Sequence, residues 1–573
     1  MFVDTRALDI DVNIHRMGKS WSQIHSKPSL TCGPVDDLDF KDMVYVNGAG
    51  RDTSKCCLPG TRESILSEIK DWINRTGEDA QRIFWLSGTA GKGKSAIAHT
   101  IANWFDERGG PSACFCFDRT QEAERRHEKI FTTIARDLAD RDPIMRRTLA
   151  SAVRDNELRH TRDIARQWKN FILGPVGAAS EAVDTPVLVV IDALDESGEA
   201  RSREQILRML AGNVDPFSTE LTKLPAHFRV LVTSRPLDDI QKSLNGVSHV
   251  HHVSIDNISL DSAEDDIKCY VSTKLAVLGD VFNGSDFQRL AQKSDGLFEW
   301  ARLACEYIDS TDTVGPPSRR CFDDLVAGAS GNGTNLLDDM YKRILKKFMP
   351  KDKHKFAIPM FCSVMRQIIV SLEPLPATAL TAMRKYFPCK DERYDVNLVI
   401  GKLGSLVTGT DSIAPVRPLH ASFYDFLTDK SRSKEFFIDA SLVTSDLAFA
   451  SLRVMERGLR FNIGSLESSY LPNSAVLDLE ERVKKSIAAE LSYSCRFWGT
   501  HVAATSFEPL LAEEVRTFLD AERLLFWLEA LALMKGLNGS VGTLTSIASW
   551  YTVRSSSFSM SNRFLRVMVI GSC

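Results

Sequence analysis

A glycine-rich stretch near residue 90 has the composition of a phosphate-binding loop. Its pattern is G-x-x-x-x-G-K-S, formed by Gly88, Thr89, Ala90, Gly91, Lys92, Gly93, Lys94 and Ser95, with Ala96 directly after. An apolar run, 83–86, precedes it, and a run that favours a helix, 96–105, follows. In this context glycines let backbone N–H groups surround a phosphate, and the helix N-terminus adds partial positive charge. We therefore expect 88–96 to bind a nucleotide, with Lys94 on the β- and γ-phosphates and the Ser95 hydroxyl on Mg²⁺.

Carboxylates follow a second apolar run. Residues 187–191 are consecutive apolar residues, typical of a strand buried on both faces of a parallel sheet, and Asp192 ends the run. A lone carboxylate is costly to bury, so we predict that Asp192 coordinates Mg²⁺ through water. Asp195 or Glu196 is the candidate to orient or deprotonate an attacking water. The competing interpretation is that these acids cap a helix near 203–210.

A third predicted strand, 228–232, ends in Thr233-Ser234-Arg235-Pro236. A hydroxyl and an arginine at the carboxyl end of a strand can contact a γ-phosphate, although Arg235 could also be a surface salt-bridge residue. Ligands of parallel sheets bind beyond the carboxyl ends of the strands. All three motifs are therefore predicted at one edge of the same sheet.

Strands and helices alternate in the first half of the chain. The predicted strands are 83–86, 113–117, 187–191, 228–232 and 250–255. This alternation predicts an α/β P-loop NTPase domain, a parallel sheet with helices on both faces. Beyond about residue 261 the periodicity is helical, in 263–278, 287–293, 297–308 and 336–348, with a hairpin predicted at 403–407 and 413–416.

Composition excludes several classes of protein. The net charge of -4 gives no electrostatic reason to expect nucleic acid. The twelve cysteines are scattered without a recurring C-x-x-C pair, which argues against zinc and favours reduced thiols in a cytoplasmic protein. No signal peptide begins the chain and no stretch of about 20 apolar residues predicts a membrane span.

The predicted organisation has seven parts. They are a poorly ordered segment 1–55, a nucleotide-binding α/β domain 56–260, a helical domain 261–311, a linker 312–335, a winged-helix domain 336–430, a second helical domain 431–535 and an unassigned tail 536–573.

From residue 57 to residue 529 the sequence resembles a fungal NACHT-domain protein, a member of the STAND signal-transduction NTPases related to NOD-like receptors. Alanine stands at 193, where glycine is frequent in the family. The matching blocks are 57–62, the P-loop 84–98, the acidic block 191–196, the sensor block 233–236, 296–301, the winged-helix block 419–427, 460–463 and 493–498.

The resemblance implies a mechanism. In the family, ADP holds the nucleotide-binding and winged-helix domains closed, and a histidine, here His420, contacts its β-phosphate. Exchange for ATP then exposes a surface for homo-oligomerisation, slow hydrolysis resets the switch, and the output is innate-immune signalling, non-self recognition or cell death. Glu196 stands at the usual catalytic position. From the residues alone, a core histidine with satisfied hydrogen bonds is the favoured interpretation of His420.

Alternatives remain open at this point. The chain could be a scaffold that binds nucleotide without hydrolysing it, or a truncated family member, because about 55 residues precede the family blocks and no repeats follow them. A small-molecule kinase would need a basic lid, which the sequence lacks. Winged helices can bind DNA, but the overall charge argues against it. The activating ligand and the signalling partner are unknown.

Overall fold

Five segments form one parallel sheet in the computed structural model. Its strands are β1 (Ile83–Ser87), β2 (Ser112–Cys116), β3 (Val187–Asp192), β4 (Phe228–Ser234) and β5 (Val250–Ser254). They lie in the order β2-β3-β4-β1-β5, and each neighbouring pair is parallel. The first four are buried along their whole length, which is why their sequences are mostly apolar rather than alternating. The predicted strands and the α/β P-loop fold are confirmed.

The structure describes residue 40 and residues 43–552, with gaps at 76, 78–79, 122–124, 160, 181–185, 213–224, 226, 310–316, 328–332, 350–353, 411–413, 440–443, 469, 471 and 521. Residues 43–573 form one compact unit, separate from 1–42, and the description below concerns the former. Among the described helices, none has the length and apolar character needed to cross a bilayer.

Helices cover both faces of the sheet. On one face, α1 and α2 pack against alternate strand residues such as Phe84, Leu86 and Leu188. On the other, Trp168 lies between Phe131 and Phe228, with ring centroids 4.8 and 6.4 Å away. The helices of this domain are α1 (Glu63–Asn74), α2 (Lys94–Glu107), α3 (Ile130–Arg141), α4 (Pro143–Ala152), α5 (Asn156–Arg159), α6 (Ile164–Gln167), α7 (Gly174–Ser180), α8 (Ala200–Leu210) and α9 (Asp238–Leu244), with a π-helical turn at Trp168–Leu173.

The helical domain contains one more helix than the sequence predicted. It comprises α10 (Leu260–Leu275), α11 (Gly284–Lys293), α12 (Phe298–Asp309) and α13 (Ser318–Ala327). The last lies inside the segment predicted as the linker 312–335. It buries Cys321, Phe322 and Leu325, which share one helical face. The prolines and glycines on either side obscured this short amphipathic pattern in the sequence.

The region predicted as the winged-helix domain, 336–430, holds helices and a short hairpin, and the hairpin is shifted from its predicted position. Its helices are α14 (Thr334–Phe348), α15 (His354–Val370), α16 (Ala377–Arg384), α17 (Asn397–Ile400), α18 (Ala421–Thr428) and α19 (Lys430–Ser433). The hairpin pairs β6 (Val407–Thr408) with β7 (Arg417–Pro418), antiparallel. Each strand has only two residues, so most of the predicted hairpin length is loop; 411–413 lie outside the described residues.

The second helical domain continues into the predicted tail. Its helices are α20 (Thr444–Gly458), α21 (Leu479–Ser486), α22 (Ala489–Ala504), α23 (Pro509–Asp520), α24 (Arg523–Leu533) and α25 (Ser540–Thr552). Although 536–573 was left unassigned, α25 packs on α22 and buries Ile547 and Trp550. The two helices meet at Gly499, where an added Cβ would lie 2.3 Å from Thr543 Cγ2. Residues 553–573 are outside the described part.

A lead segment, residues 43–57, packs along β2 and α2, although 1–55 was expected to be poorly ordered. The Cys116 N–H donates to Ala49 O at 2.7 Å, and the Cys57 N–H donates to Thr100 Oγ1 at 2.8 Å. The segment shows no periodicity because it is held by a sheet edge and by side chains of other elements. Residues 1–39 and 41–42 are not among the described residues.

Candidate nucleotide-binding site

The glycine-rich loop leaves β1 and turns directly into α2, which begins at Lys94. At two positions of this loop, glycine is favoured both because an added side chain would come too close to a neighbour and because φ is positive. Gly88 has φ 157°, and an added Cβ would lie 2.2 Å from Ile255 Cγ2. Gly91 has φ 83°, and its Cβ would lie 3.2 Å from Glu299 Cβ. A side chain at either position would displace the loop, so the chain places its backbone, not side chains, where a phosphate would be held.

Lys94 lies inside the loop it is predicted to serve. Its ammonium donates to Gly88 O at 2.7 Å and to Thr89 O at 2.9 Å. Burial lowers the pKa of Lys94, while the nearby charge of Asp195 acts in the opposite direction. Thr89 is itself fixed, because both its N–H and its hydroxyl bond to Asp256 at 2.9 Å. The result is a desolvated cation at the centre of a rigid loop, which is favourable for binding an anion.

The loop also contacts two residues outside the sheet. The Glu299 N–H of α12 donates to Gly91 O at 3.1 Å, and Arg62 Nη2 donates to Lys92 O at 3.0 Å. Arg62 also lies 3.8 Å from Asp266 and stacks 4.8 Å from the ring centroid of Phe298. Glu299 was not singled out by the sequence, because the bond uses its backbone, which any residue type supplies.

Asp192 is placed where β3 ends, and Ser95 is in the first turn of α2. Asp192 is only 4% exposed and accepts a hydrogen bond from the Thr233 hydroxyl of β4. Thr233 Oγ1 in turn accepts from the Ala193 N–H at 3.0 Å. Thr233 therefore orients the carboxylate and the turn after it. The position of Thr233 at the end of the neighbouring strand is the feature of the sequence that indicates this orienting role.

Asp195 and Glu196 occupy one short helical turn, entered through Ala193 at φ 55° and ψ 46°. Glu196 Oε2 accepts the Arg119 N–H at 3.1 Å, and burial together with the charge of Asp195 raises the pKa of Glu196 to about 7. Asp195 accepts the Arg235 N–H at 3.0 Å. The residue that precedes α8 is Glu199, so the helix-capping interpretation of Asp195 and Glu196 is wrong.

Arg235 follows β4 and joins two domains. Its Nε lies 3.2 Å from Asp195 Oδ2, and its Nη1 pairs with Asp425 Oδ2 of α18 in the winged-helix region. Arg119 Nη1 contacts the other oxygen of Asp425 at 2.8 Å. The interpretation of Arg235 as a surface salt-bridge residue is correct about the ion pairs but not about the surface location. The residue forms ion pairs, but its side chain is 22% exposed and both partners are more deeply buried.

His420 stands at the N-terminus of α18. Its Nδ1 accepts the Ser422 N–H at 3.2 Å and lies 2.6 Å from Ser422 Oγ, which is 2.7 Å from the Tyr341 hydroxyl. Burial lowers the pKa of His420, and Glu299 opposes that shift. Because Nδ1 is engaged, Nε2 is the ring nitrogen left to contact a ligand.

A cluster of potential metal ligands, separate from Ser95 and Asp192, lies at β2, the edge strand of the sheet. His99, Cys114 and Cys116 are buried, with Sγ–Sγ 3.7 Å and His99 Nε2 3.9 Å from Cys116 Sγ. However, His99 Nδ1 accepts the Asp52 N–H at 3.0 Å, so a neutral ring carries its proton on Nε2, toward sulfur. A metal-binding histidine usually donates from its second nitrogen. The cluster therefore anchors the lead segment rather than forming a metal site.

Comparisons with known proteins agree with this geometry. Residues 60–235 match the family model described as Nephrocystin 3, N-terminal. The chain is 23% identical over 526 residues to the vegetative incompatibility protein HET-E-1 of Podospora anserina, covering 85% of this chain and 36% of that protein. The chain thus spans about a third of the length of that curated relative.

Two solved structures are similar at 11% identity. A Walker-type ATPase of Pyrococcus abyssi has a TM-score of 0.31 and matches 64% of this chain and 94% of its own. A STAND protein with a tetratricopeptide repeat sensor, from Pyrococcus horikoshii, has a TM-score of 0.34 and matches 89% and 69%. Both scores are below 0.5, so the fold rests on the strand order itself. Residues 60–235 are therefore similar to the nephrocystin-3 N-terminal domain, and most of the chain is similar to HET-E-1, which confirms the resemblance to NACHT-domain STAND proteins.

Proposed function

We propose that this chain is a nucleotide-controlled signalling switch in which ADP favours a closed state and ATP an open, oligomerising one. The observation that carries the proposal is the double contact of Arg235. This residue lies at the predicted γ-phosphate edge of the sheet and is paired with Asp425, five residues after His420. A group at this edge can therefore act on the contact between the sheet domain and the winged-helix region.

The residues fit a nucleoside phosphate with Mg²⁺. The loop 88–96 offers backbone N–H groups and the ammonium of Lys94, and His420 and Arg235 add donors from two further elements. Ser95 and Asp192 supply the oxygen ligands that Mg²⁺ prefers. When bound, Mg²⁺ neutralises phosphate charge.

Slow hydrolysis is assigned to the two acids after β3. Glu196 suits the role of proton acceptor because its pKa is raised to about 7 and the Arg119 N–H holds its carboxylate. Asp195 suits a different role, because its carboxylate holds Arg235. Neighbouring carboxylates with different environments are a common basis for dividing acid–base and charge-stabilising functions.

The proposed switch depends on competition between a γ-phosphate and Asp425 for the guanidinium of Arg235. A γ-phosphate within reach of this guanidinium would compete with Asp425, whereas ADP has no such group. A ligand shifts a two-state equilibrium only by its differential affinity for the states, and this contact is present in one state only. Opening would then expose the winged-helix face for self-association.

The output is proposed from the relative. HET-E-1 is a vegetative incompatibility protein, and we propose a related role for this chain in non-self recognition or cell-death signalling. A scaffold that binds nucleotide without turnover remains the second candidate. It is favoured by the closed ion-pair network, in which Arg235 is already committed to carboxylates.

The first experiment identifies the nucleotide that copurifies with the chain. The protein is denatured and the released nucleotide is resolved by chromatography, beside Lys94→Ala and Lys484→Ala. Near-stoichiometric ADP is expected in the parent and in Lys484→Ala, which removes an exposed lysine of α21. Lys94→Ala should carry none. No nucleotide in the parent, and no binding when ATP is added, would reject the switch. Steady-state turnover that is lost in Glu196→Gln would reject the scaffold.

A further inference from the structure

A basic cavity lies between the helical domain and α14, away from the glycine-rich loop. Its volume is about 560 Å³. Five cationic side chains line it, and Asp339 is the acidic residue in the lining. The cations are Lys293 from the end of α11 and Lys342, Arg343, Lys346 and Lys347 from α14. Residues four apart are neighbours on a helix surface, so the cations of α14 form two adjacent rows on the wall of the cavity.

Two of these cations form long ion pairs with the protein. Lys342 Nζ is 3.9 Å from Asp339, and Lys346 Nζ is 3.9 Å from Glu435. Arg343 Nη1 donates to a neutral acceptor, Asp324 O, at 3.1 Å. Long, exposed ion pairs of this kind contribute little. Like charges gathered around one cavity repel each other, and an anion placed between them relieves that repulsion.

The rest of the lining is aromatic and apolar. Trp300 and Tyr307 come from α12, seven residues apart, and Leu336 and Met340 come from α14. Lys347 Nζ lies 4.5 Å from the ring centroid of Tyr307. A cavity of this size is typical of small-molecule sites, which lie between about 300 and 1,000 Å³. Its chemistry suits a compact ligand with several negative charges.

The helix that lines the cavity, α14, also contacts residues around the candidate nucleotide site. From α14, the Tyr341 hydroxyl bonds to Ser422, the partner of His420, and Asp338 pairs with Arg432 at 2.7 Å. Leu337 lies 3.5 Å from the Cβ position of Gly91. A ligand that holds the cationic rows therefore holds the same helix that supports the loop and the winged-helix histidine.

We propose that this cavity binds a small polyphosphorylated anion, at a site distinct from the nucleotide site. The shared chemistry is several phosphate groups on a compact ring, as in a free inositol polyphosphate or the headgroup of a phosphoinositide. Lysines act as adjustable point charges toward phosphate, and Arg343 can bind it through two N–H groups.

The test is calorimetric titration of inositol hexakisphosphate into the full chain, with ADP and Mg²⁺ held at saturation. The pocket variant is Lys342→Gln with Lys346→Gln. The matched control is Lys484→Gln with Lys485→Gln, which removes the same charge from exposed positions on α21. Thermal unfolding of both variants checks that they remain folded. We expect binding to weaken about tenfold or more in the pocket variant and to be unchanged in the control.

Two further arms separate the alternatives. Lys94→Ala should bind the probe like the parent chain, so the site stands even if the proposed nucleotide switch fails. Cosedimentation with phosphatidylcholine vesicles containing phosphatidylinositol bisphosphate, compared with pure phosphatidylcholine, shows whether a lipid headgroup is the preferred source. Absence of binding, equal weakening in both lysine variants, or loss of binding in Lys94→Ala would each overturn the proposal.

Discussion

Arg235 pairs with Asp425 across the contact between the sheet domain and the winged-helix region, and its Nε lies 3.2 Å from Asp195. Arg119 binds the other carboxylate oxygen of Asp425 at 2.8 Å. A second pair, Arg417 with Asp118 at 2.7 Å, lies on the same contact. Asp425 thus carries two of the three described ion pairs that cross this contact, and it is the residue whose loss should weaken the contact most.

Replacing Asp425 by asparagine should favour opening. The change removes one charge that faces two partly buried guanidinium groups, at a cost of about 2 kcal/mol to the closed state, or roughly thirtyfold in the equilibrium. Release of a fluorescent ADP analogue should accelerate, and size-exclusion chromatography with ATP should show more oligomer. The control is Asp429→Asn, four residues on, where asparagine still caps α19. An unchanged release rate in Asp425→Asn would contradict the role assigned to this contact.

Glu196 should impose a pH dependence on hydrolysis. Its pKa is raised from 4.5 to about 7, so the carboxylate that accepts a proton becomes available as pH rises through about 7. The turnover number should rise over that range, and Glu196→Gln should lower it by about a hundredfold or more. Asp195→Asn tests the alternative assignment. If it abolishes turnover while Glu196→Gln does not, the two roles are reversed.

The same group affects stability in the opposite direction. Between pH 4.5 and about 7 the folded chain retains a proton on Glu196 that the unfolded chain has lost. Its contribution to the free energy of unfolding therefore falls as pH rises through this window. Glu196→Gln should remove that part of the slope, measured by urea unfolding at pH 5 and pH 8. Parallel pH profiles for parent and variant would contradict the raised pKa.

Ala193→Gly should stabilise the turn after β3. Alanine at φ 55° is in the left-handed region, which costs about 1–2 kcal/mol, whereas glycine adds unfolded-chain entropy worth less than about 1 kcal/mol. A gain of up to about 1 kcal/mol is expected in urea unfolding. Ala548→Gly, inside α25, should instead cost up to about 1 kcal/mol. Destabilisation by both changes would show that the turn is not strained.

Gly499→Ala should destabilise the packing of α25 on α22. The added Cβ would lie 2.3 Å from Thr543 Cγ2, and overpacking of this kind costs about 1–3 kcal/mol. Thr543→Ala in the same chain should restore part of the loss. Gly542→Ala is the control in α25, because nothing lies within 4 Å of its Cβ position, and it should stabilise the helix by up to about 1 kcal/mol. Equal melting temperatures for Gly499→Ala and the parent would exclude the close contact.

The elements that depend on local pattern could be predicted from the sequence alone. Strands β1, β2 and β3 are apolar over four or more consecutive residues, and the loop 88–95 follows β1, so the sheet and the position of Lys94 at its edge were both predictable. The three motifs meet because parallel strands bring their carboxyl ends to one edge. Helix α13 and helix α25 have the same kind of local signal, but they are short and flanked by glycine or proline.

The tertiary structure determines which side chains from distant segments pair with each other. Arg235 and Asp425 are separated by 190 residues, and nothing in the pattern around either one indicates the other. The same is true of the hydrogen bond from Arg62 to the Lys92 carbonyl and of the hydrogen bond from the Asp52 N–H, in the lead segment, to His99. Local sequence determines which backbone conformation is favourable and which face is apolar. Contacts between charged or polar side chains from distant segments depend on how domains pack, because each cation in the chain has many chemically equivalent carboxylates and only folding brings one of them close.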